Sequence, residues 1–314
     1  MRAGTERREW TYPGPDGRLL HAVLWMPPAP PKGMIQILHG LMEHTLRYDE
    51  TARFLCARGY AVCGVDLPGH GQSDSDAPGF LARRHGWELA LETVRGLRTQ
   101  VGGSWPRWVL LGHSMGSFLV RTWLIRRPGE ADGAVLSGTA QKRRGLVPLG
   151  RALTEAGCVL CSPRHRIPGA AALYLHGCSR RIPHPATDLD WVSRDPAAVR
   201  EAQTALDHFP TAGLLRDMLA GMQYNTGHAG DTDPDVPIYI FSGDQDPVGD
   251  YGAGARRTAA LFARCRDVTV RLYPGGRHEM LHETNRDQVL RDLAEWLDGH
   301  ITAAEQPKQG RLST

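Results

Sequence analysis

Short apolar runs recur along the chain, and segments with apolar residues at helical spacing separate most of them. The runs predict strands at residues 20–25, 34–38, 61–65, 109–112, 134–137, 238–242 and 268–273. The helical patterns lie at residues 48–58, 87–101, 118–127, 253–264 and 285–297. Strands and helices that alternate in this way predict an α/β fold with a mostly parallel central sheet, covered by helices on both faces.

The link between the first two predicted strands is only a short proline-rich stretch, residues 27–31. A parallel pair of strands needs a crossover of about a dozen residues or more. The short link therefore favours an antiparallel opening hairpin in which strands 20–25 and 34–38 pair with each other.

One long segment, residues 141–236, interrupts the alternation because it shows helical patterns and proline-rich loops but no convincing strand. We interpret it as a helical cap inserted between two parts of an α/β core. The polar C-terminal residues are expected to form a disordered tail. The predicted organisation is a first core part at 10–140, the cap at 141–236, a second core part at 237–302 and the tail at 303–314.

Composition narrows the class of protein and of partner. The 314 residues are 41% hydrophobic and 23% charged, with a formal net charge of +3 and no long basic block. This balance is ordinary for a globular protein and does not predict a nucleic-acid partner. The N-terminus lacks the apolar core of a signal peptide, and no apolar run is long enough to span a bilayer. Six scattered cysteines favour free thiols in a reducing, cytoplasmic location.

The pentapeptide Gly112-His113-Ser114-Met115-Gly116 carries the first chemical signal. An apolar run precedes it and an amphipathic helical pattern follows it, so the predicted order is strand, tight turn, helix. A Gly-x-Ser-x-Gly turn holds its serine in a strained conformation, exposes the hydroxyl, and leaves room only for residues without Cβ on either side. Ser114 is therefore predicted to be a nucleophile.

A serine hydroxyl needs a base to remove its proton, and the base needs an acid to hold it. In this type of fold the chain order is Ser, then Asp or Glu, then His. Ser114 is followed by Asp244 and Asp246, directly after strand 238–242, and then by His278, after strand 268–273. We assign Asp246 as the acid, with Asp244 as the alternative, and His278 as the base.

An acyl-transfer site also needs backbone N–H groups aimed at the developing oxyanion. The residue after the nucleophile supplies one donor, which here is the N–H of Met115. The second should come from a loop after an early strand. His39-Gly40-Leu41 follows strand 34–38, so the N–H of Leu41 is the predicted second donor.

Two further features lie near the predicted site. Glu43 and Arg47 are four residues apart and are interpreted as a pair that braces the oxyanion loop, although a routine salt bridge is the alternative. The segment 66–74 follows strand 61–65 and is interpreted as a structural loop. Neither feature is assigned a direct catalytic role.

Substrate contacts are predicted from position along the chain and from one helical face. Residues 214–222 place apolar side chains on one side of a helix, which either packs on the core or lines a substrate channel beneath the cap. His113, next to the serine, and the loop after strand 34–38 supply the other predicted substrate contacts. The predicted substrate-binding residues are His39, Gly40, His113, Leu215, Met218 and Met222.

A competing motif is present, since His278-Glu279-Met280-Leu281-His282 matches the H-E-x-x-H signature of zinc peptidases. On a helix, its two histidines would share a face and bind zinc. Here the motif follows a Pro-Gly-Gly turn, so His278 is not expected in the middle of a helix. The extended form of the signature requires glycine at position 285 and histidine at position 288, but the chain has Asn285 and Gln288. We therefore predict no metal site and no cofactor.

With these residues in view, the chain resembles the α/β-hydrolase superfamily, and within it the monoacylglycerol lipase and bacterial lysophospholipase group of serine aminopeptidase-like hydrolases. The resemblance spans about residues 10–300 and is carried by segments 39–48, 66–74, 112–116, 191–196, 209–219, 242–248 and 277–279. It implies the α/β-hydrolase fold, the triad assigned above and the hydrolysis of monoacyl lipid esters. Leu41 departs from the small residue that is commoner in the group, and its bulk is expected to narrow the acyl pocket.

The predicted partner is a small lipid ester, with at most peripheral contact to a membrane, and the oligomeric state stays open. Two other readings are kept within the same fold: an esterase or peptidase that acts on another substrate, and a binding protein without catalysis. The complete set of Ser114, Asp246 and His278 argues against the binding protein, which has no need of all three.

Overall fold

A computed structural model describes residues 4–73, 77–103, 105–143, 145–166, 177–205 and 209–301. One eight-stranded sheet forms the centre, in the order β1-β2-β4-β3-β5-β6-β7-β8. The strands are β1 (Glu6–Pro13), β2 (Leu19–Met26), β3 (Met34–Leu38), β4 (Ala61–Val65), β5 (Trp108–His113), β6 (Gly133–Ser137), β7 (Ile238–Gly243) and β8 (Val268–Tyr273). From β4 across to β8 all neighbours are parallel, as the alternation of strands and helices predicts.

Helices cover both faces of this sheet within the described residues. They are α1 (Asp49–Ala57), α2 (Gly86–Val101), α3 (Met115–Arg126), α4 (Leu146–Leu160), α5 (Pro196–Ala205), α6 (Ala212–His228), α7 (Ala253–Leu261) and α8 (Arg286–His300). Every residue of β3 to β7 is buried, because two hydrophobic clusters pack against the opposite faces. This two-sided burial explains why these strands appear in the sequence as continuous apolar runs. The predicted α/β-hydrolase architecture is confirmed.

The predicted opening hairpin is wrong. Strand β2 pairs antiparallel with β1 and with β4, and β3 lies on the far side of β4. The hairpin that opens the sheet is formed by β1 and β2 instead. Sequence reasoning missed β1 because most of its residues are exposed and polar, so this edge strand shows no apolar run.

Helices α4, α5 and α6 lie between β6 and β7, in the segment interpreted as a cap. Helix α6 begins at an N-cap threonine, Thr211, whose hydroxyl accepts a hydrogen bond from the N–H of Leu214. The described part of this segment contains no strand beyond a single bridge between Arg166 and Thr211. The division into core and cap stays a prediction, and the predicted tail at 303–314 lies outside the described residues.

The parallel strands end at one edge of the sheet, and the predicted site residues follow those ends. Ser114 comes directly after β5, Asp246 lies in the loop after β7, and His278 lies in the loop after β8. The loop that contains Gly40 and Leu41 follows β3, which is the neighbour of β5. In an open α/β sheet this edge is where ligands bind.

Candidate active site

Ser114 sits in the tight turn between β5 and α3, with a positive φ of 48° and a ψ of −115°. A side chain on either flanking glycine would collide with backbone. A Cβ on Gly112 would lie 2.6 Å from the nitrogen of Ser117, and a Cβ on Gly116 would lie 2.7 Å from the carbonyl oxygen of His39. The two glycines thus permit a strained turn that costs about 1–3 kcal/mol and directs the serine away from the sheet.

Asp246, and not Asp244, is bonded to the histidine. The Nδ1 of His278 lies 3.0 Å from Oδ2 of Asp246, whose side chain is fully buried. The hydroxyl of Ser242 donates to the same oxygen at 3.0 Å, and the N–H of Val248 donates to the other at 2.8 Å. Asp244 instead accepts a hydrogen bond from a backbone N–H in the loop after β8.

The imidazole of His278 lies between two other rings, those of His113 at 4.9 Å and Trp191 at 5.4 Å between centroids. Burial alone would lower the pKa of His278, but the charge of Asp246 and its hydrogen bond outweigh burial and raise it. Burial lowers the pKa of His113 to about 4, so this neighbour is uncharged at neutral pH. With Nδ1–H donating to Asp246, Nε2 of the neutral imidazole carries no proton and can act as an acceptor.

The two predicted oxyanion donors are both unengaged. Within the described residues, neither the N–H of Leu41 nor that of Met115 donates a hydrogen bond to another protein group. Met115 is the first residue of α3, so its N–H also points along the positive end of the helix dipole. Such donors are available to an oxyanion that forms above Ser114.

Glu43 and Arg47 form the predicted pair, with Nη1 of Arg47 2.9 Å from Oε2 of Glu43. The other oxygen of Glu43 accepts hydrogen bonds from the N–H of Gly40 and, at 2.9 Å, from the hydroxyl of Tyr48. The pair therefore contacts the oxyanion loop directly. Segment 66–73 has a structural role, because the carboxylate of Asp66 joins two loops. It accepts hydrogen bonds from the N–H of Thr45, in the loop after β3, and from the N–H of Gln72, in its own loop.

A cavity of about 290 Å³ opens over Ser114 and His278. Four of the predicted substrate-binding residues line it: Gly40, His113, Leu215 and Met218. Two predicted residues do not. The His39 ring is held between the carbonyl of Gly40 and the N–H of Leu67, and Met222 is buried in the core.

Sequence reasoning missed much of the apolar lining. Besides the residues already named, the cavity is lined by Met42, Trp191, Val192, Ala202, Phe209 and Pro210. Most of these come from the segment between β6 and β7, where irregular loops give no hydrophobic period to read. The only signal was the likeness of segments 191–196 and 209–219 to the lipase group.

The geometry gives the zinc hypothesis no ligand set. His278 lies in a bend, and only Met280–His282 forms a single 3-10 turn, so the two histidines do not share a helical face. His278 is bonded to Asp246, and Nε2 of His282 lies 2.9 Å from the carbonyl oxygen of Arg47. No group of three or more His, Cys, Asp or Glu in the described residues is arranged to hold a metal ion.

Comparison with known proteins agrees with this geometry. A family model described as "Serine aminopeptidase, S33" matches residues 29–285. The chain is 32% identical over 308 residues to a monoacylglycerol lipase of Mycolicibacterium smegmatis, covering 94% of this chain and 98% of that protein. It is also 32% identical to the monoglyceride lipase of Mus musculus, covering 92% and 90% of the two chains. The solved structure of a thermostable carboxyl esterase from Bacillus coagulans in complex with glycerol superposes with a TM-score of 0.83, 26% identity and coverage of 94% and 99%.

Proposed function

Because the chain belongs to the serine aminopeptidase S33 family of hydrolases, we propose that it cleaves carboxylic esters of monoacyl lipids through an acyl-enzyme on Ser114. One observation carries the proposal: a strained serine and a histidine bonded to a buried aspartate face the same largely apolar cavity. Relatives named monoacylglycerol lipase and monoglyceride lipase, matched over 98% and 90% of their lengths, support the substrate class.

The proposed reaction has two halves. Oγ of Ser114 attacks the acyl carbonyl while Nε2 of His278 takes its proton, and the N–H groups of Leu41 and Met115 stabilise the oxyanion. His278 then returns the proton to the alcohol oxygen as the ester bond breaks. His278 then deprotonates a water molecule, which attacks the acyl-enzyme, and the imidazolium gives this proton to Oγ of Ser114 as the fatty acid leaves. Asp246 orients the imidazole and stabilises its cation in both halves.

The size and lining of the cavity support one acyl chain with a small alcohol. Its volume of about 290 Å³ lies just below the range of about 300–1,000 Å³ that is typical of small-molecule sites. Apolar side chains from the oxyanion loop, segment 191–192 and helix α6 make most of its wall. Each methylene group that they cover is worth about 0.8 kcal/mol, so a single aliphatic chain would gain most of its affinity here.

The same cavity disfavours the peptidase alternative. An aminopeptidase must bind a protonated amine, for which a carboxylate without a cationic partner is the natural acceptor. Two carboxylates line the cavity, Glu43 and Glu279, and both are bonded to Arg47. A substrate amine would have to displace this buried guanidinium.

The test compares wild type with Ser114→Ala, and with Ser162→Ala as a control in a loop outside the cavity. We expect wild type and the control to gain the mass of one fluorophosphonate adduct and to hydrolyse a long-chain monoacylglycerol or lysophospholipid faster than a triacylglycerol or an aminoacyl anilide. Ser114→Ala should do neither. Hydrolysis of the monoacyl ester by Ser114→Ala at the wild-type rate would refute the proposal.

Helix α4 supports a second element of the proposal, peripheral contact with a lipid surface. Its apolar face points outward, since Leu146, Leu149, Leu153 and Leu160 are between 57% and 82% exposed. The opposite face packs on α6 through small or polar residues such as Thr154 and Cys158. A groove beside α4 is lined by seven Lys or Arg residues and three Asp or Glu residues. Exposed leucines beside excess positive charge match an anionic membrane.

Vesicle binding tests this contact. The double variant Leu149→Glu/Leu153→Glu should bind phosphatidylglycerol vesicles at least about 100-fold more weakly than wild type, since burying each leucine contributes about 1.5–3 kcal/mol. Leu19→Glu is the matched control, because Leu19 is equally exposed (56%) but lies on β2. Unchanged binding by the double variant, or a leucine-dependent dimer without vesicle binding, would overturn the lipid-surface proposal.

A cytoplasmic location stays part of the proposal. None of the six cysteines forms a disulfide and five of them are buried, which supports a reducing compartment. Among the described residues, no helix has the length and apolar character required to cross a membrane.

A further inference from the structure

The side chain of Arg47 is 1% exposed and lies among three carboxylates from three separate segments. Its guanidinium is 2.9 Å from Glu43 in its own segment, 2.9 Å from Glu279 in the loop after β8, and 3.5 Å from Glu201 on helix α5. Removing one partner from a buried ion pair leaves an uncompensated charge, which is costly. The position of Arg47 is therefore tied to all three segments at once.

The first segment is the oxyanion loop. Burial alone would raise the pKa of Glu43, but the charges of His113, when protonated, and of Arg47 lower it to about 2, so the carboxylate is ionised. Its Oε1 accepts the N–H of Gly40, the residue directly before the proposed oxyanion donor. Arg47 is therefore linked through Glu43 to the peptide N–H that directly precedes that of Leu41.

The second segment holds the general base. Arg47 donates two hydrogen bonds to Glu279, at 3.1 and 2.9 Å, and Glu279 directly follows His278. The N–H of Glu279 also donates to the carbonyl of Val192 at 2.7 Å. The two-point Arg–carboxylate contact fixes direction as well as distance, so the loop of the base is aligned with the oxyanion loop.

The third segment is helix α5, which is part of the predicted cap. Glu201 reaches Nε of Arg47, although its own side chain is 46% exposed. Ala202, the next residue on the helix, lines the cavity over Ser114. A substrate that moves α5 would therefore move Glu201 relative to Arg47.

We propose that Arg47 is a positioning residue for both the oxyanion loop and His278, and that its ion pair with Glu201 couples the seating of helix α5 to the oxyanion donor at Leu41. The proposal rests on the proposed acyl-enzyme chemistry, but not on the monoacyl substrate. When α5 is seated, three carboxylates hold the guanidinium in place. When α5 moves away, only Glu43 and Glu279 hold it, and the oxyanion loop relaxes.

The test measures kcat and KM for p-nitrophenyl butyrate, together with the rate of fluorophosphonate labelling. Arg47→Lys keeps the charge but loses the two-point contact with Glu279, and should lower kcat about 10-fold to 100-fold while KM changes by less than about threefold. Glu201→Gln should lower kcat and the labelling rate about threefold to tenfold. The double variant should be no slower than Arg47→Lys alone, because the two changes break the same link.

Two controls separate positioning from general damage. Arg216→Lys changes a largely buried arginine that is paired with Asp217 and Glu155 on the far side of α6, and Arg200→Gln changes an exposed residue beside Glu201. Both should keep the wild-type kcat. Because Glu201 is half exposed, its variant should fold even if Arg47→Lys does not.

The inference is overturned if Glu201→Gln keeps the wild-type kcat and labelling rate, or if the losses of the two single variants multiply in the double variant. It is also overturned if Arg200→Gln slows the reaction as much as Glu201→Gln. Failure of the wild type to cleave monoacyl lipids, with butyrate hydrolysis intact, would refute the proposed substrate and leave the coupling to be judged by these variants.

Discussion

Replacement of Asp246 by asparagine is expected to lower kcat/KM about 10⁴-fold with little effect on folding. The carboxylate lies 3.0 Å from Nδ1 of His278, and an imidazolium forms there in the transition state. At an effective dielectric constant of about 20, opposite charges at this distance attract with about 5.5 kcal/mol. An amide forfeits most of this attraction, which corresponds to about four powers of ten in rate.

The chain offers a matched control in Asp244→Asn, two residues away in the same loop. Asp244 bonds to a backbone N–H after β8 and not to the histidine, so its replacement should cost less than about threefold. The assay is hydrolysis of a soluble ester at a pH above the pKa of His278, with thermal unfolding recorded for both variants. More than a tenth of wild-type activity in Asp246→Asn, or an equal loss in Asp244→Asn, would refute the reasoning.

Three further outcomes follow from the site geometry. The value of kcat/KM should fall as the pH drops below the pKa of His278, because only the neutral imidazole can act as base. Asp246 raises this pKa above its ordinary value of 6.5, so the fall should begin at a higher pH than for a free histidine. Urea unfolding should show Gly116→Ala destabilised by about 3 kcal/mol, since a Cβ there meets backbone of the β3 loop, whereas Gly299→Ala, with open space around it, should not be destabilised. Leu41→Ala should raise the ratio of kcat/KM for bulky acyl chains to kcat/KM for slender ones about tenfold, because Leu41 lines the cavity. A series of esters that differ only in the acyl chain measures this ratio.

The sequence predicted the sheet core and the placement of the chemistry because both depend on local signals. Strands β3 to β7 are buried on both faces, and each therefore appears as an uninterrupted apolar run. The turn around Ser114 requires glycine at positions 112 and 116, so these two residues are enough to predict its conformation. The alternative between Asp244 and Asp246 could not be decided locally, since one turn presents both and only the loop after β8 selects between them.

The first strand was not predicted, because it carries no local apolar signal. Strand β1 lies at the sheet edge, and its burial pattern is mostly exposed. Its pairing with β2 is specified by backbone hydrogen bonds and by the turn at Gly14 and Gly17, not by an apolar period. Without β1 the antiparallel strand β2 had only β3 as an apparent partner, and the short link made that pairing look sufficient.

The cavity wall and the Arg47 network share a further property that sequence patterns do not carry. Arg47, Glu279 and Glu201 are separated by more than 70 residues from one another along the chain, yet one guanidinium joins them. Periodicity reports which face of one element is buried, whereas a buried cation selects its partners from any element that reaches it. The Glu43–Arg47 pair was visible because it lies within one turn, and it is the only local part of the link from α5 to the oxyanion loop. A long-range ion pair of this kind therefore becomes apparent only in the folded structure. Its contribution to the rate is measured by double-mutant cycles.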